Sequence, residues 1–140
     1  MLVKEFISRT NKDQMISTLL KFYKVQSVRV KMKSMKDHAH YDVDRGILNL
    51  STKYKTIKTS QAREFLITMI HEIRHAMDSK KYGWRKFRDM YEMQIAQYQA
   101  ENPSKEDDWY DYIPFETEAE KFGQQNYRKW YNKFKKDGLI

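Results

Sequence analysis

The stretch QAREFLITMIHEIRHAMD, residues 61–78, decides how this chain folds. Leu66, Ile70, Ile73 and Met77 recur at the three- and four-residue spacing of one apolar stripe, so a long helix is expected over residues 61–78. Thr59 or Ser60 stands where a hydroxyl can cap it by accepting from a free amide of the first turn. At about 100° per residue, His71, His75 and Asp78 centre roughly opposite the apolar stripe. A purely structural helix normally presents solvated lysine or glutamate on that side. Two histidines one turn apart point instead to a helix that lines a cleft.

His71-Glu72-Ile73-Arg74-His75 spells HExxH. Positions i and i+4 share a helix face, so both imidazoles can reach one zinc ion about 2.0–2.1 Å away, with Glu72 beside them as general base. A catalytic zinc usually has three protein ligands and a water, and with no cysteine in the chain the third must be histidine or carboxylate. No histidine follows His75. The longer pattern that needs glycine at position 78 and histidine at position 81 is also absent, because Asp78 and Lys81 stand there. A downstream carboxylate is the natural candidate. The segment PFETEAEKFG, residues 114–123, offers Glu116, Glu118 and Glu120 on one expected helix, with Glu116 and Glu120 on a shared face and Glu118 pointing elsewhere. Asp78, one turn beyond His75, is expected to orient a ligand rather than to bind. His38 and His40 flank an upstream strand and read as surface or packing residues.

Before the motif, residues 11–24 carry Met15, Ile16, Leu19, Leu20, Phe22 and Tyr23 at helical spacing, predicting a helix that packs by its Met15/Leu19/Phe22 side. Residues 26–33 alternate, with Val28, Val30 and Met32 on one face and Arg29, Lys31 and Lys33 on the other, which is a half-exposed strand. Residues 40–44 and 46–51 read as two strands joined at Asp44-Arg45-Gly46. The sheet is therefore expected to be small and mostly antiparallel. After the motif, Gly83 breaks the chain before a helix at 84–100, with Phe87, Met90, Tyr91, Ile95 and Tyr98 as its apolar positions. Asn102-Pro103 ends that helix, and the acidic, aromatic residues 104–113 read as a loop or short helical turn. Pro114 opens a last helix through about residue 136.

At 140 residues and 40% hydrophobic content, residues 1–140 are expected to form one domain. No run approaches the roughly 20 apolar residues that span a bilayer, and Met1-Leu2-Val3-Lys4-Glu5 lacks the apolar centre of a signal peptide. A soluble, intracellular protein without membrane contact is expected. The net charge is +8, and residues 1–58 hold 13 Lys/Arg against 5 Asp/Glu, whereas residues 59–140 hold 14 against 14. A basic half suits nucleic acid or an acidic protein, or is simply a solvated lysine-rich surface. Near the C-terminus Tyr127, Trp130, Tyr131 and Phe134 interleave with Arg128, Lys129, Lys133, Lys135 and Lys136. At helical spacing such aromatics are more often a core stripe than a base-stacking platform.

The HExxH helix followed by an ExxAxxF(A/G) helix, matched here by Glu116, Ala119, Phe122 and Gly123, resembles the gluzincin branch of zincins. Within that branch it is similar in part to small ImmA/IrrE-like proteins and short phage-encoded metallopeptidases. Gly123 departs from the alanine common in that family, and a long insertion precedes Glu116. The resemblance implies an α+β, minimal zincin-like fold with a small, mostly antiparallel sheet, an active-site helix and C-terminal helices. It implies Glu116 as the third ligand beside His71 and His75, with Glu120 orienting a histidine. It further implies a zinc-dependent peptidase of host cytoplasm, encoded by a phage or bacterium and acting on a protein or peptide substrate held beside the strand at 40–44 or 46–51. In such a peptidase a zinc-bound water attacks the peptide bond, and Glu72 moves its proton to the leaving amine. Tyr41, Tyr54, Tyr110 and Tyr112 are candidate oxyanion donors. The alternative is a protein whose basic first half binds nucleic acid or an acidic partner, its metal site structural or vestigial.

Overall fold

Strand β4 (Ile47–Ser51) is the most buried of the strands, and the sheet is built around it. The computed structural model describes residues 5–140; residues 1–4, most of the stretch read as lacking a signal-peptide centre, lie outside the described residues. Strands β2 (Arg29–Lys33) and β3 (Ala39–Asp42) flank β4 in the order β2-β4-β3. β3 pairs antiparallel, with His40 opposite Asn49, through a turn that Gly46 closes by donating to the Asp42 carbonyl at 2.9 Å. Gly46 adopts φ 64°, a left-handed conformation that glycine reaches without a Cβ clash. β2 pairs parallel, with Arg29 opposite Ile47. The sheet is thus half parallel, where a mostly antiparallel one was expected. The hairpin claims one edge of the buried strand, which leaves β2, arriving from the first helix, the other edge in the same direction as β4. A two-residue pairing of β1 (Phe6–Ile7) with β5 (Ile57–Lys58) completes the strands.

Helix α1 (Arg9–Phe22) starts at Ser8, whose hydroxyl accepts from the Asn11 amide at 3.1 Å. It buries Met15, Ile16, Leu19 and Leu20, but Phe22, expected on the packing side, is 56% exposed and lies edge-on to Tyr23 and Trp130 at the rim of the core. Helix α2 (Ala62–Tyr82) runs past residue 78 until Gly83 stops it at φ 84°. Its N-cap is Gln61; the hydroxyls expected to cap it belong to a preceding 3-10 turn, Thr59–Gln61, and the Gln61 side chain accepts from the Lys58 amide at 3.0 Å. Phe65, Leu66, Met69, Ile70 and Ile73 are wholly excluded from solvent, so α2 is a central element rather than a surface helix.

Helix α3 (Trp84–Glu101) buries only Phe87 among its described residues and turns back through a 3-10 stretch, Pro103–Asp111. Helix α4 (Pro114–Lys136) begins with proline at N1 and lies along α2. Ala119 and Gly123 keep that interface thin: a Cβ at Gly123 would meet the Ile67 carbonyl oxygen at 2.9 Å. Tyr127, Trp130 and Phe134 enter the core shared by α1, α2, α4 and the sheet, as a core stripe does. The architecture is mixed α and β, compatible with an α+β class. No helix among the described residues is long and apolar enough to cross a membrane.

Candidate metal centre

α2 and the first turn of α4 bring four of the expected residues together. His71, Glu72 and His75 are buried, with one ligand atom from each lying within 4.8 Å of the others. Glu116 is 5% exposed and comes from α4. Its Oε1 accepts from His71 Nε2 at 2.9 Å and from His75 Nε2 at 3.0 Å. Metal–ligand bonds of 2.0–2.1 Å in a tetrahedron require ligand atoms about 3.3 Å apart. The two imidazole–carboxylate distances therefore lie within a few tenths of an ångström of that spacing. Glu116 is thereby singled out among the three glutamates: Glu120 touches only the far side of a histidine, and Glu118 is exposed.

The surroundings fix these donors. Glu120 Oε2 faces His71 Nδ1 at 3.1 Å and is itself steadied by Gln124, whose amide donates to Glu120 Oε1 at 3.0 Å. A carboxylate on the remote nitrogen fixes which imidazole nitrogen is free for metal. The Tyr91 hydroxyl donates to Glu116 Oε2 and leaves Oε1 for the histidines. In the sequence Tyr91 reads only as an apolar position of this helix; its spacing puts it on the face of Phe87 but does not show that this face meets Glu116. His75 differs from His71: its Nδ1 is buried and has no hydrogen-bond partner among the described residues.

Electrostatics follow from the packing. Burial opposes a charged His71, but hydrogen bonds to Glu116 and Glu120 and the nearby Glu72 charge outweigh it and raise the ring to about 9. Burial would likewise raise Glu116, yet hydrogen bonds from His71 and His75 hold it well below the ordinary carboxylate range. Protons on the two Nε2 atoms bridge to one carboxylate oxygen, and a divalent cation held by the same three atoms would take the place of those protons. Glu72 moves the other way, raised chiefly by burial although both histidines pull it down. No protein group among the described residues hydrogen-bonds its carboxylate, which leaves both oxygens available to a substrate or water.

Other candidates take different places. Asp78, expected to orient a ligand, pairs with Arg74 at 3.3 Å instead, because that i, i+4 partner lies on the same face and carries the opposite charge. His38 points away to Tyr54 and Glu64, whereas His40 lines the cleft. Tyr54 is buried and donates to Glu64 at 2.7 Å, and Tyr112 is 61% exposed and stacks on Tyr98. The Tyr41 hydroxyl engages Ser79. Tyr110 alone of the four expected phenols faces Glu116, and it borders three cavities that reach the centre.

A cleft of about 480 Å³ leads to Glu72 and His75, walled by β3 on one side and by Phe87, Tyr91 and Trp109 on the other. Among the described residues β3 has β4 as its one strand partner, so its second edge is open beside this cleft, whereas β4 is paired on both edges. The chain matches no protein-family model, no curated protein and no solved structure. Its donor set of two imidazole nitrogens and one carboxylate oxygen fits a divalent cation of zinc's preferences.

Proposed function

We propose that this chain is a zinc-dependent peptidase with a minimal zincin-like fold, in which His71, His75 and Glu116 hold the ion and Glu72 is the general base. The observation that carries the reading is the convergence of Glu116 Oε1 on both Nε2 atoms, at 2.9 and 3.0 Å, next to a buried glutamate with no hydrogen-bond partner. A purely structural site has no use for that glutamate. When bound, zinc supplies Lewis acidity, polarising a carbonyl and lowering the pKa of a ligated water towards about 7.

The remaining roles belong to the chain. Glu72, raised by burial, accepts the proton of the attacking water and returns it to the leaving amine. Glu120 holds the His71 ring and Tyr91 holds Glu116, so the donors are preset before substrate arrives. The open edge of β3 pairs with an extended substrate and lays its scissile bond across the cleft floor. Tyr110, which faces Glu116 where the cleft meets the ligands, turns its hydroxyl to the developing oxyanion.

The test is cleavage of an unfolded protein such as reduced casein by zinc-loaded parent and Glu72→Gln. Retained zinc with activity lower by about 10²–10⁴-fold in the variant is expected. Equal cleavage by the variant, or none by a fully zinc-loaded parent across unfolded substrates, would contradict the reading.

A further inference from the structure

We infer that the groove between α1 and the free edge of β2 binds an extended acidic segment of a partner protein. This groove, about 560 Å³, lies at the opposite edge of the sheet from the metal centre. Its floor is aliphatic, formed by Ile16, Leu20, Val28 and Val30, and its rim carries Arg9, Lys12, Lys21 and Lys55 against the single acid Asp13.

Two observations identify the occupant. Lys12 is 7% exposed, yet its ammonium has only two long contacts, to the carbonyl oxygens of Tyr54 at 3.4 Å and Lys55 at 3.5 Å. No ion pair engages it among the described residues. A cation so buried is costly without a counter-charge, and a carboxylate from outside would supply one. The second observation is main-chain geometry. Arg29 donates its amide to the Gly46 carbonyl at 3.2 Å, so in the parallel ladder Arg29, Lys31 and Lys33 turn their peptide groups to β4. The N–H and C=O groups of Val30 and Met32 consequently face away from the sheet, and an added strand would satisfy them.

The chemistry favours a peptide over nucleic acid. The groove contains no aromatic ring on which a base could stack, and although phosphate oxygens could accept from the edge N–H groups, a sugar-phosphate backbone has no N–H donors at strand spacing for the edge carbonyls. Alternating acidic and apolar residues would set every second carboxylate over the groove, against Arg9, Lys12, Lys21 and Lys55, with the carbon stems of those acids on the aliphatic floor. This inference is independent of the peptidase reading, since neither Glu72 nor the metal ligands take part.

The experiment is a titration followed by fluorescence anisotropy with a labelled peptide of about ten residues alternating Glu and Val. A peptide of the same composition arranged in two blocks and an oligo-dT strand serve as comparisons, and parent protein is tested beside Lys12→Met and Val30→Pro. Saturable binding of the alternating peptide is expected, at least about tenfold tighter than the block peptide and weakened at least about tenfold by either substitution. Equal affinity for both peptides, no saturable binding, or tighter binding of oligo-dT would overturn the inference. Should a variant fail to fold, amide hydrogen exchange on the parent decides: new protection at Val30 and Met32 with peptide supports it, and unchanged exchange there overturns it.

Discussion

At His71 the two ring nitrogens meet two different carboxylates, and this division of labour makes separable predictions. Glu120→Gln removes the charge that orients the ring but leaves all three donor atoms in place. Zinc affinity, measured by competition with a chromophoric chelator, should fall about 10–100-fold, while cleavage at saturating zinc stays near the parent rate. The metal-free protein should also show a distinctive pH response. His71 is raised from 6.5 to about 9, so its contribution to stability is complete below pH 6.5 and is lost as pH rises through 9. Glu116 is depressed below 4.5, so its contribution is present above that value and is lost as pH falls further. Thermal melts of metal-free protein should therefore be highest between pH 4.5 and 6.5 and decline towards pH 9. His71→Ala should flatten the alkaline decline; an undiminished decline in that variant would assign it to another group. The sequence carried much of this centre, because HExxH and the Glu116/Glu120 pair depend on helical spacing alone. Tyr91 and Tyr110 come from α3 and the 3-10 stretch, and nothing local to them records that those segments fold over α4's first turn. Asp78 shows the same limit in miniature: spacing puts it on the face of the histidines, but Arg74, equally well spaced, pairs with it.

Among the elements, the α2–α4 pair sets the position of the proposed metal ligands, and Gly123 sets the pair. Its missing side chain lets α4 approach the Ile67 carbonyl, in the turn just before His71, at a distance a Cβ could not tolerate without a backbone shift. The departure from alanine at this position thus has a packing reason. Gly123→Ala regains up to about 1 kcal/mol of helix propensity, but overpacking against backbone typically costs about 1–3 kcal/mol. A small net loss of thermal stability is expected, with a clear loss of zinc affinity because Glu116 and Glu120 move off the histidines. Unchanged zinc affinity would show that the interface is more compliant than its geometry implies. Helices were legible at this scale, since an amphipathic stripe is a local property. The parallel pairing of β2 with β4 was not, because strand direction is decided by how the chain returns to a buried strand and by no pattern inside the strand itself.

Across the whole molecule, charge and chemistry separate. The +8 excess falls in residues 1–58, and its clearest structural expression is the groove at the β2 edge, while the metal cleft opens at the β3 edge of the same sheet. A partner held at one edge would leave the other free for substrate. The composition announced a basic half but could not locate it, since the sorting of lysines between groove and solvent follows from the sheet order. The claim on which the rest stands is that His71, His75 and Glu116 form one metal site. The most direct measurement is elemental analysis of protein offered zinc and then freed of loosely bound ions, for the parent beside His75→Ala and Glu116→Ala. About one zinc per chain in the parent and little in either variant is the predicted result. No zinc in the parent, or undiminished zinc in both variants, would contradict it.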